Sequence, residues 1–357
     1  MSIIKLMKEM VDKQASDLFY RAGGPAHFKI DGKLVNASEG QLQVADIEKA
    51  VEVLTTQEQR ERFQKEFDID FAFYIDDLDR RYRVSIFIQR NTPSIVIRNV
   101  RKEISTFDQL GLPTDILQKL SLESRGLVLM AGSMGSGKST TIASMIEYIN
   151  QNCQKHVLTI EEPIEFTFTD NKSMINQREV GLDVSGYDVA LRSFTLQSPD
   201  VIFIGNIRDY ETMSAAMTAA ETGVLVLSTL HSINSSRSVE RIINFFPPYQ
   251  HQQVRKQLAD LLKGVISLRL LPQIGKPGRI PAYETMLASP TISRLIREGN
   301  DYQIPESIEG GAVFGMQSFN QTLVKLVKEK KISEETAKEF SDSPEEFVLA
   351  LRGIKKA

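Results

Sequence analysis

Alternating apolar and polar positions mark the first hundred residues. Apolar side chains recur at every second position over residues 69–75 and over 82–88, and residues 94–100 form a further run rich in β-branched residues. A period of two is typical of strands that bury one face, so these runs predict an antiparallel sheet. Asp31-Gly32, between two short apolar segments, predicts a hairpin turn in the same sheet.

Helical spacing of apolar residues interrupts these strands. It predicts one helix over residues 3–14 and a second from 44 to 65. The combination indicates a small α+β domain over residues 1–99, followed by a linker over residues 100–113.

The rest of the chain has a different pattern, in which short continuous apolar runs alternate with helical segments. Such runs are typical of parallel strands that are buried on both faces. Strands are predicted at residues 126–131, 157–160, 201–205 and 224–228, and helices at 142–149, 210–222, 249–271 and in pieces from 290 onward. We therefore expect an α/β domain over residues 114–357.

The loop between the first of these strands and its helix is rich in glycine and ends in Lys-Ser. Strand, glycine loop, Lys-Ser and helix together are the context that makes a GxxxxGK[ST] pattern a phosphate-binding loop, and a chance glycine turn is the weaker alternative. Lys138 would reach the β- and γ-phosphates of a nucleotide, and the Ser139 hydroxyl would bind Mg²⁺. The candidate ATP-binding residues are Ser133, Met134, Gly135, Ser136, Gly137, Lys138, Ser139 and Thr140.

Polar residues follow three of the predicted strands, at the end where ligands bind in open α/β sheets. Glu161 ends the strand at 157–160, and its carboxylate is either a polar strand end or the group that orients or deprotonates a water. Asn206 stands where nucleotide hydrolases usually place an acid, and an amide cannot accept a proton from water. His231 is either an ordinary strand-end histidine or a sensor of a γ-phosphate.

Four arginines are predicted to point outward from the first domain's strands: Arg81, Arg83, Arg90 and Arg98. The simpler interpretation is a solvated basic face. The alternative is that some of them bind a phosphate that is held by another domain or subunit, since the planar guanidinium matches phosphate oxygens.

Composition narrows the class of protein. A chain of 357 residues is long enough for two cores, and its net charge of −3 gives no electrostatic argument for binding nucleic acid or an anionic membrane. One cysteine and four histidines leave no disulfide framework or metal cluster, which fits a reducing cytosol. The amino terminus does not have the pattern of a signal peptide, and no apolar run is long enough to span a bilayer.

The order of these motifs resembles that of the secretion-type (GspE/PulE-like) hexameric ATPases, and within them the type IV pilus retraction ATPases of the PilT and PilU type. The resemblance covers nearly the whole chain. The matching segments are Ala15–Leu18, Arg81–Ser85, Arg98, Gly132–Thr140, Ile160–Glu165, Thr229–His231 with Arg241, Ile292–Glu298 and Gly315–Gln321.

The resemblance implies a homohexamer with a PAS-like amino-terminal domain and a RecA-like P-loop ATPase domain that ends in a helical subdomain tied to retraction. ATP with Mg²⁺ would bind between the two domains of a subunit. Arg83 and Arg98 would move onto the γ-phosphate, Glu161 would be the general base, and His231 would sense the γ-phosphate. Its partners would be an inner-membrane pilus platform protein and a PilT-type paralogue, at the cytoplasmic face of the inner membrane.

Three departures from the family pattern favour an accessory, PilU-like member of the retraction branch. Asn206 replaces the glutamate of the Walker B segment, and Leu196 replaces the second arginine of an upstream motif, close to Asn206 and the nucleotide. The chain also lacks the tetracysteine that assembly and secretion members often carry. A subunit that binds ATP but hydrolyses it poorly is therefore one alternative. An assembly or secretion ATPase is a weaker one, and a nucleic-acid motor is the least favoured.

Overall fold

A computed structural model of the chain describes residues 2–30, 32–100, 102–194, 196–275 and 278–354. Asp31 of the predicted hairpin turn, Arg101 of the predicted linker and the last three residues of the predicted second domain lie outside these ranges. The chain divides into two compact units, residues 1–103 with 165–167 and residues 104–164 with 168–357.

The first unit contains a six-stranded sheet in which every pairing is antiparallel, as the alternating pattern predicts. The strand order is β3-β2-β1-β6-β5-β4. Its strands are β1 (Asp17–Arg21), β2 (His27–Ile30), β3 (Lys33–Asn36), β4 (Asp68–Ile75), β5 (Arg80–Gln89) and β6 (Thr92–Asn99). The sequence did not predict β1, because only Leu18 and Tyr20 are fully buried in this short strand.

Three helices complete the first unit: α1 (Ile3–Asp12), α2 (Val44–Leu54) and α3 (Gln57–Glu66). The single helix predicted from 44 to 65 is wrong, because the helix breaks at Thr55 and Thr56. Thr56 and Gln59 form a reciprocal capping box. The Gln59 amide donates to Thr56 Oγ1 at 3.3 Å, and the Thr56 amide donates to Gln59 Oε1 at 2.9 Å. This pattern starts a new helix inside the apolar periodicity.

The second unit contains a seven-stranded sheet with the order β13-β12-β7-β11-β10-β8-β9. All neighbouring strands are parallel except for the antiparallel pair β12–β13. The strands are β7 (Gly126–Ala131), β8 (His156–Glu161), β9 (Met174–Glu179), β10 (Val201–Ile204), β11 (Leu225–Leu230), β12 (Leu262–Pro272) and β13 (Arg279–Leu287). Every residue of β7, β10 and β11 is buried, which explains why their sequences do not alternate.

Helices surround this sheet and form a small cluster at the carboxyl terminus. They are α4 (Phe107–Leu110), α5 (Thr114–Ser121), α6 (Lys138–Asn152), α7 (Tyr187–Phe194), α8 (Tyr210–Glu221), α9 (Ser235–Asn244), α10 (His251–Leu261), α11 (Pro290–Glu298), α12 (Ile304–Glu309), α13 (Phe319–Lys328), α14 (Glu334–Phe340) and α15 (Pro344–Leu351). None of the described helices has the length and apolar composition that a membrane span requires.

Two segments of the second unit differ from the sequence-based expectation. The predicted helix over 249–271 ends at Leu261, and β12 begins at Leu262. The helical spacing of leucines continues past this point, but β12 is buried on both faces and so carries no alternation to reveal it. The expected linker over 100–113 contains α4, and its Phe107 and Leu112 lie in the core of the second unit.

Truncation of Leu227 tests the importance of the central strand β11. Leu227 is fully buried, so we expect Leu227→Ala to lower the free energy of unfolding by about 2–5 kcal/mol through lost apolar burial and a residual cavity. Urea denaturation measures the change. Leu122→Ala is the control, because Leu122 is 50% exposed and its loss should cost less than about 0.5 kcal/mol. Equal losses for the two variants would contradict the assignment of β11 to the core.

Candidate functional site

Four neighbouring parallel strands end at one edge of the second unit's sheet. In the order of the sheet they are β7, β11, β10 and β8. The segments that leave this edge contain the glycine loop 132–137, His231, Asn206 and, at the last position of β8, Glu161. The fold therefore brings these residues to one edge, and β11 lies beside β7.

The glycine loop needs glycine for its backbone path. The φ angles are +147° at Gly132, +73° at Gly135 and +100° at Gly137, all in a region that favours glycine. At Gly132 a β-carbon would lie 2.4 Å from the Ser136 hydroxyl oxygen and 2.7 Å from the Leu268 carbonyl oxygen. The loop is thus held against β12 as well as against its own residues.

Lys138 and Ser136 give the loop its polar interior. The Lys138 ammonium donates to the carbonyl oxygens of Gly132 and Ser133, each at 2.8 Å, and only 7% of the residue is exposed. The Ser136 hydroxyl is buried and has no hydrogen-bond partner among the described residues. Ser139 follows in the first turn of α6, whose amino terminus adds a positive dipole end. These are the features of an anion site.

Hydrogen bonds from Thr159 and Gln177 help to hold Glu161 in place. Its Oε1 accepts from Thr159 Oγ1 at 2.7 Å and from Gln177 Nε2 at 3.2 Å, and 6% of the residue is exposed. The carboxylate is therefore fixed at the end of β8. Sequence reasoning did not identify Thr159 or Gln177, since β9, which carries Gln177, has no apolar run that would reveal its position.

Tyr187, at the start of α7, also faces this edge and was not predicted. Its hydroxyl lies 3.3 Å from the position that a β-carbon on Gly205 would occupy. Burial raises the pKa of Tyr187, and the charges of Glu162 and Glu161 raise it further, while Arg208 opposes them. The phenol is therefore neutral and can donate a hydrogen bond towards the edge that carries Glu161 and Glu162. No sequence signal connects position 187 to it.

Asn206 lies immediately beyond β10 and is 9% exposed. Its side-chain oxygen is buried and has no hydrogen-bond partner within the described part of the chain. The segment around it is fixed, because Ile207 N donates to Thr229 O at 3.1 Å and Thr229 Oγ1 donates to Gly205 O at 2.7 Å. Since buried polar atoms usually have a partner, this oxygen is a candidate for contact with a ligand or a water.

His231 follows β11 directly and has a positively charged environment. Burial lowers its pKa, and the positive charges of Lys138, Arg208 and Arg241 lower it further. An imidazole among three cations is neutral at pH 7 and lies in a field that attracts anions. Arg208 also pairs with Glu162 at 3.4 Å. The sequence pointed to Arg241 but not to Arg208 as part of this group.

Leu196 does not belong to the site, and its expected proximity to Asn206 is wrong. It follows α7 at the amino-terminal ends of β8 and β10, where Asp200 binds the His156 amide at 2.8 Å. The glycine loop leaves the opposite edge of the sheet. Because β10 runs from the edge near Leu196 to the site, Leu196, which precedes β10, lies away from Asn206, which follows it. Leu196 is 86% exposed.

The arginines of the first unit face outward, as expected, and two of them form a pair. Arg83 on β5 lies directly opposite Arg98 on β6. Arg83 binds Asp70 at 2.7 Å, and Arg98 binds Asp17 at 2.9 Å. Arg90 differs from the prediction, because it lies in the turn after β5 with a φ of +46°. A role of Arg83 and Arg98 at a phosphate stays a prediction.

A buried parallel sheet whose glycine loop leads through a lysine into a helix defines a P-loop nucleotide-binding protein of the α/β class. The chain belongs to the family described as type II/IV secretion system protein, whose family model matches residues 1–327.

Several relatives match almost from end to end. The type IV pilus ATPase PilU of Pseudomonas aeruginosa is 38% identical over 99% of this chain and 92% of its own length. The type IV pilus retraction ATPase PilT of the same organism is 37% identical over 97% of this chain and its full length. A crystal structure of the retraction motor PilT with bound ADP covers 97% of this chain and 98% of its own, with 41% identity and a TM-score of 0.90. The Legionella pneumophila ATPase DotB, at 21% identity and a TM-score of 0.80, shares the fold.

Substitution of Gly132 tests the geometry of the glycine loop. A β-carbon there would collide with Ser136 and with the Leu268 carbonyl, so we expect Gly132→Ala to weaken binding of fluorescently labelled ADP at least about tenfold. Gly223→Ala is a matched control, since Gly223 also has a positive φ, of +102°, but its β-carbon would meet nothing within 4 Å. Unchanged ADP binding by Gly132→Ala would contradict the proposed use of this loop.

Proposed function

We propose that this chain is the ATP-binding motor subunit of a hexamer that powers or assists type IV pilus retraction through ATP-driven domain movement. The observation that carries the proposal is the glycine loop with buried Lys138, in a chain that retraction ATPases match over nearly its whole length. The ADP in the PilT structure is the ligand expected at this loop.

The two units have distinct parts in this proposal. The first, with its antiparallel sheet and outward arginines, acts as the PAS-like domain expected for residues 1–99. The second acts as the RecA-like ATPase domain, with α11 to α15 as the helical subdomain linked to retraction. The family membership and the match to the PilT structure support both identifications.

The glycine loop has the donor groups that a nucleotide and Mg²⁺ need. Loop amides and the Ser136 hydroxyl would bind phosphate oxygens, Lys138 would bind the β- and γ-phosphates, and Ser139 would hold Mg²⁺. The buried, unpartnered Ser136 oxygen supports this fit within the described residues. Mg²⁺ would supply charge neutralisation at the phosphates. Ser133, Met134, Gly135, Gly137 and Thr140 complete the binding segment.

Around the γ-phosphate, each remaining residue has a role that fits its environment. Glu161, fixed by Thr159 and Gln177, would orient or deprotonate the attacking water. His231 would contact the γ-phosphate as a neutral donor. Arg83 and Arg98 would supply positive charge for the transferred phosphoryl group, which is how arginines accelerate phosphoryl transfer.

A cytoplasmic position at the inner membrane follows from the same proposal. The hexamer would act on an inner-membrane pilus platform protein, and it would have no nucleic-acid partner. The names of the PilT and PilU relatives support the pilus role on which this location depends.

Asn206 favours a second candidate function, an accessory subunit that binds ATP, hydrolyses it slowly and works with an active PilT-type paralogue. An amide at this position can orient a water but cannot take its proton. The 38% identity to PilU is consistent with this alternative but does not separate it from the first.

The proposal is tested first by ATP turnover and by pilus retraction. We expect the purified hexamer to hydrolyse ATP and Lys138→Ala to lower turnover by about 10²–10³, because Lys138 provides charge at the phosphates. We also expect loss or slowing of retraction in a deletion strain. Complementation with the wild-type gene should restore retraction, whereas Lys138→Ala should not. Normal retraction in the deletion strain would refute the proposed function.

Restoration of an acid at position 206 separates the two candidates. A catalytic acid or base is worth roughly 10²–10⁴ in rate, so the accessory function predicts that Asn206→Glu raises ATP turnover at least about tenfold. Asn206→Gln is the control for the longer side chain without the charge. If wild type turns over as fast as Asn206→Glu, the accessory function with slow hydrolysis is wrong.

A further inference from the structure

The segment that joins His231 to α9 is held by polar groups from three directions. Arg269 donates to the Ile233 carbonyl oxygen at 3.3 Å. The buried Glu284 carboxylate accepts from the Ser235 amide at 2.7 Å. Asn234, which caps α9, donates to Asp342 at 3.3 Å. The segment that follows His231 is therefore held by β12, by β13 and by the turn between α14 and α15.

Arg269 is the residue that joins these directions. Its guanidinium donates to the Phe340 carbonyl oxygen and to Asp342, in addition to Ile233. It also lies over the Phe319 ring, 3.9 Å from the centroid, and its side chain is only 17% exposed. One side chain thus contacts the segment after His231, the start of α13 and the end of α14.

The strand that carries Arg269 also contacts the glycine loop. The carbonyl oxygen of Leu268, its neighbour on β12, lies 2.7 Å from the position of a β-carbon on Gly132. Ser267 on the same strand pairs with Ala131, the last residue of β7. Arg269 is therefore the immediate neighbour of Leu268, the residue of β12 that lies against the glycine loop.

The carboxyl-terminal helices form a separate small core on the far part of β12 and β13. Phe319, Leu323 and Phe347 are fully or almost fully buried there, with Leu271 from β12 and Ala282 from β13. Because this core includes residues of β12 and β13, a change in these strands reaches the helices directly. Their polar link to the segment after His231 runs through Arg269 and Asp342.

We propose that Arg269 is a positioning residue that transmits the state of the γ-phosphate contact at His231 to the carboxyl-terminal helices α13 to α15. This inference rests on the proposed function, since His231 contacts a γ-phosphate only if the chain binds ATP. The planar fork and the ring stacking require arginine, and lysine keeps the charge but supplies neither.

Hydrogen–deuterium exchange of the full-length hexamer, compared between ADP and the slowly hydrolysed analogue ATPγS, tests the inference. In wild type we expect ATPγS to slow exchange both in residues 229–240 and in residues 334–351. In Arg269→Lys we expect the slowing over 334–351 to be lost. Turnover should fall about tenfold while KM for ATP stays within about twofold, since a transmitted signal and not ATP binding is removed.

Two further variants keep the test sharp. Asp342→Ala removes the acceptor at the other end of the link at a half-exposed position, so it should fold even if Arg269→Lys does not, and it should show the same loss over 334–351. Arg255→Lys is the matched control. Arg255 is 19% exposed and donates two hydrogen bonds of 2.8 Å to Asp301, and none of the hydrogen bonds described for it goes to Ile233. We expect Arg255→Lys to keep the wild-type difference.

The outcomes separate this inference from the proposed function. An ATPγS effect over 334–351 that survives in both Arg269→Lys and Asp342→Ala overturns the inference alone, and so does its absence in a wild-type hexamer that binds labelled ADP and ATPγS. A wild-type hexamer that binds neither nucleotide refutes the proposed function, and the inference with it. Loss of the effect in Arg255→Lys as well would show a general loosening of the fold, which also overturns it.

Discussion

The carbonyl oxygen of Leu268 lies 2.7 Å from the point where a β-carbon on Gly132 would sit, and this close approach is the constraint on which the second unit depends. It requires glycine at the first position of the loop. It also ties the end of β7 to β12, so that one contact fixes the phosphate loop and the strand that carries Arg269. The same pairing sets Ser267 beside Ala131, and from there the register carries on to Glu284 on β13. The glycine loop, the segment after His231 and the carboxyl-terminal helices therefore all contact β12 or its partner β13.

Local patterns predicted much of this architecture. The alternation over 69–75 and 82–88 predicted β4 and β5, and the glycine loop was correctly predicted to lie between a strand and a helix. These signals succeed because each depends on neighbours in sequence: a pleat of period two, or a turn that only glycine permits. The single helix over 44–65 was mispredicted because the capping pair Thr56 and Gln59 starts a new helix inside an apolar periodicity that continues across it.

What the sequence missed depends on contacts between distant residues. β12 is buried on both faces, so its leucines fit a helix as well as a strand until its partners β7 and β13 are known. Tyr187 and Gln177 reach the Glu161 edge only through the crossing of α7 and the pairing of β9. Leu196 is close to Asn206 in sequence but at the other edge of the sheet, because the strand β10 lies between them. Arg269 carries no motif, and its four contacts come from segments 36 to 73 positions away in sequence.

The arginine pair of the first unit illustrates how a polar surface can be ready for another role. Like charges directly opposite each other in a sheet are unfavourable, and Asp70 and Asp17 offset the pairing of Arg83 with Arg98. Exposed ion pairs are worth only about 0–1 kcal/mol, so Arg83 can leave the half-exposed Asp70 at little cost. Asp17 is different, because it is 4% exposed and keeps one hydrogen bond from Ser16 when Arg98 leaves. The two arginines thus differ in how freely they can exchange a carboxylate for a phosphate.

Asn206 shifts the balance of charge at the nucleotide edge. Lys138, Arg208 and Arg241 surround His231 with positive charge, and a carboxylate at position 206 would cancel part of that field. The amide leaves the field intact, and unlike a carboxylate it cannot accept a proton, which leaves that role to Glu161 in the proposed function. The amide's buried oxygen, which has no partner among the described residues, still offers an acceptor to a water. In the accessory function proposed above, the amide at position 206 would favour nucleotide retention and slow proton transfer.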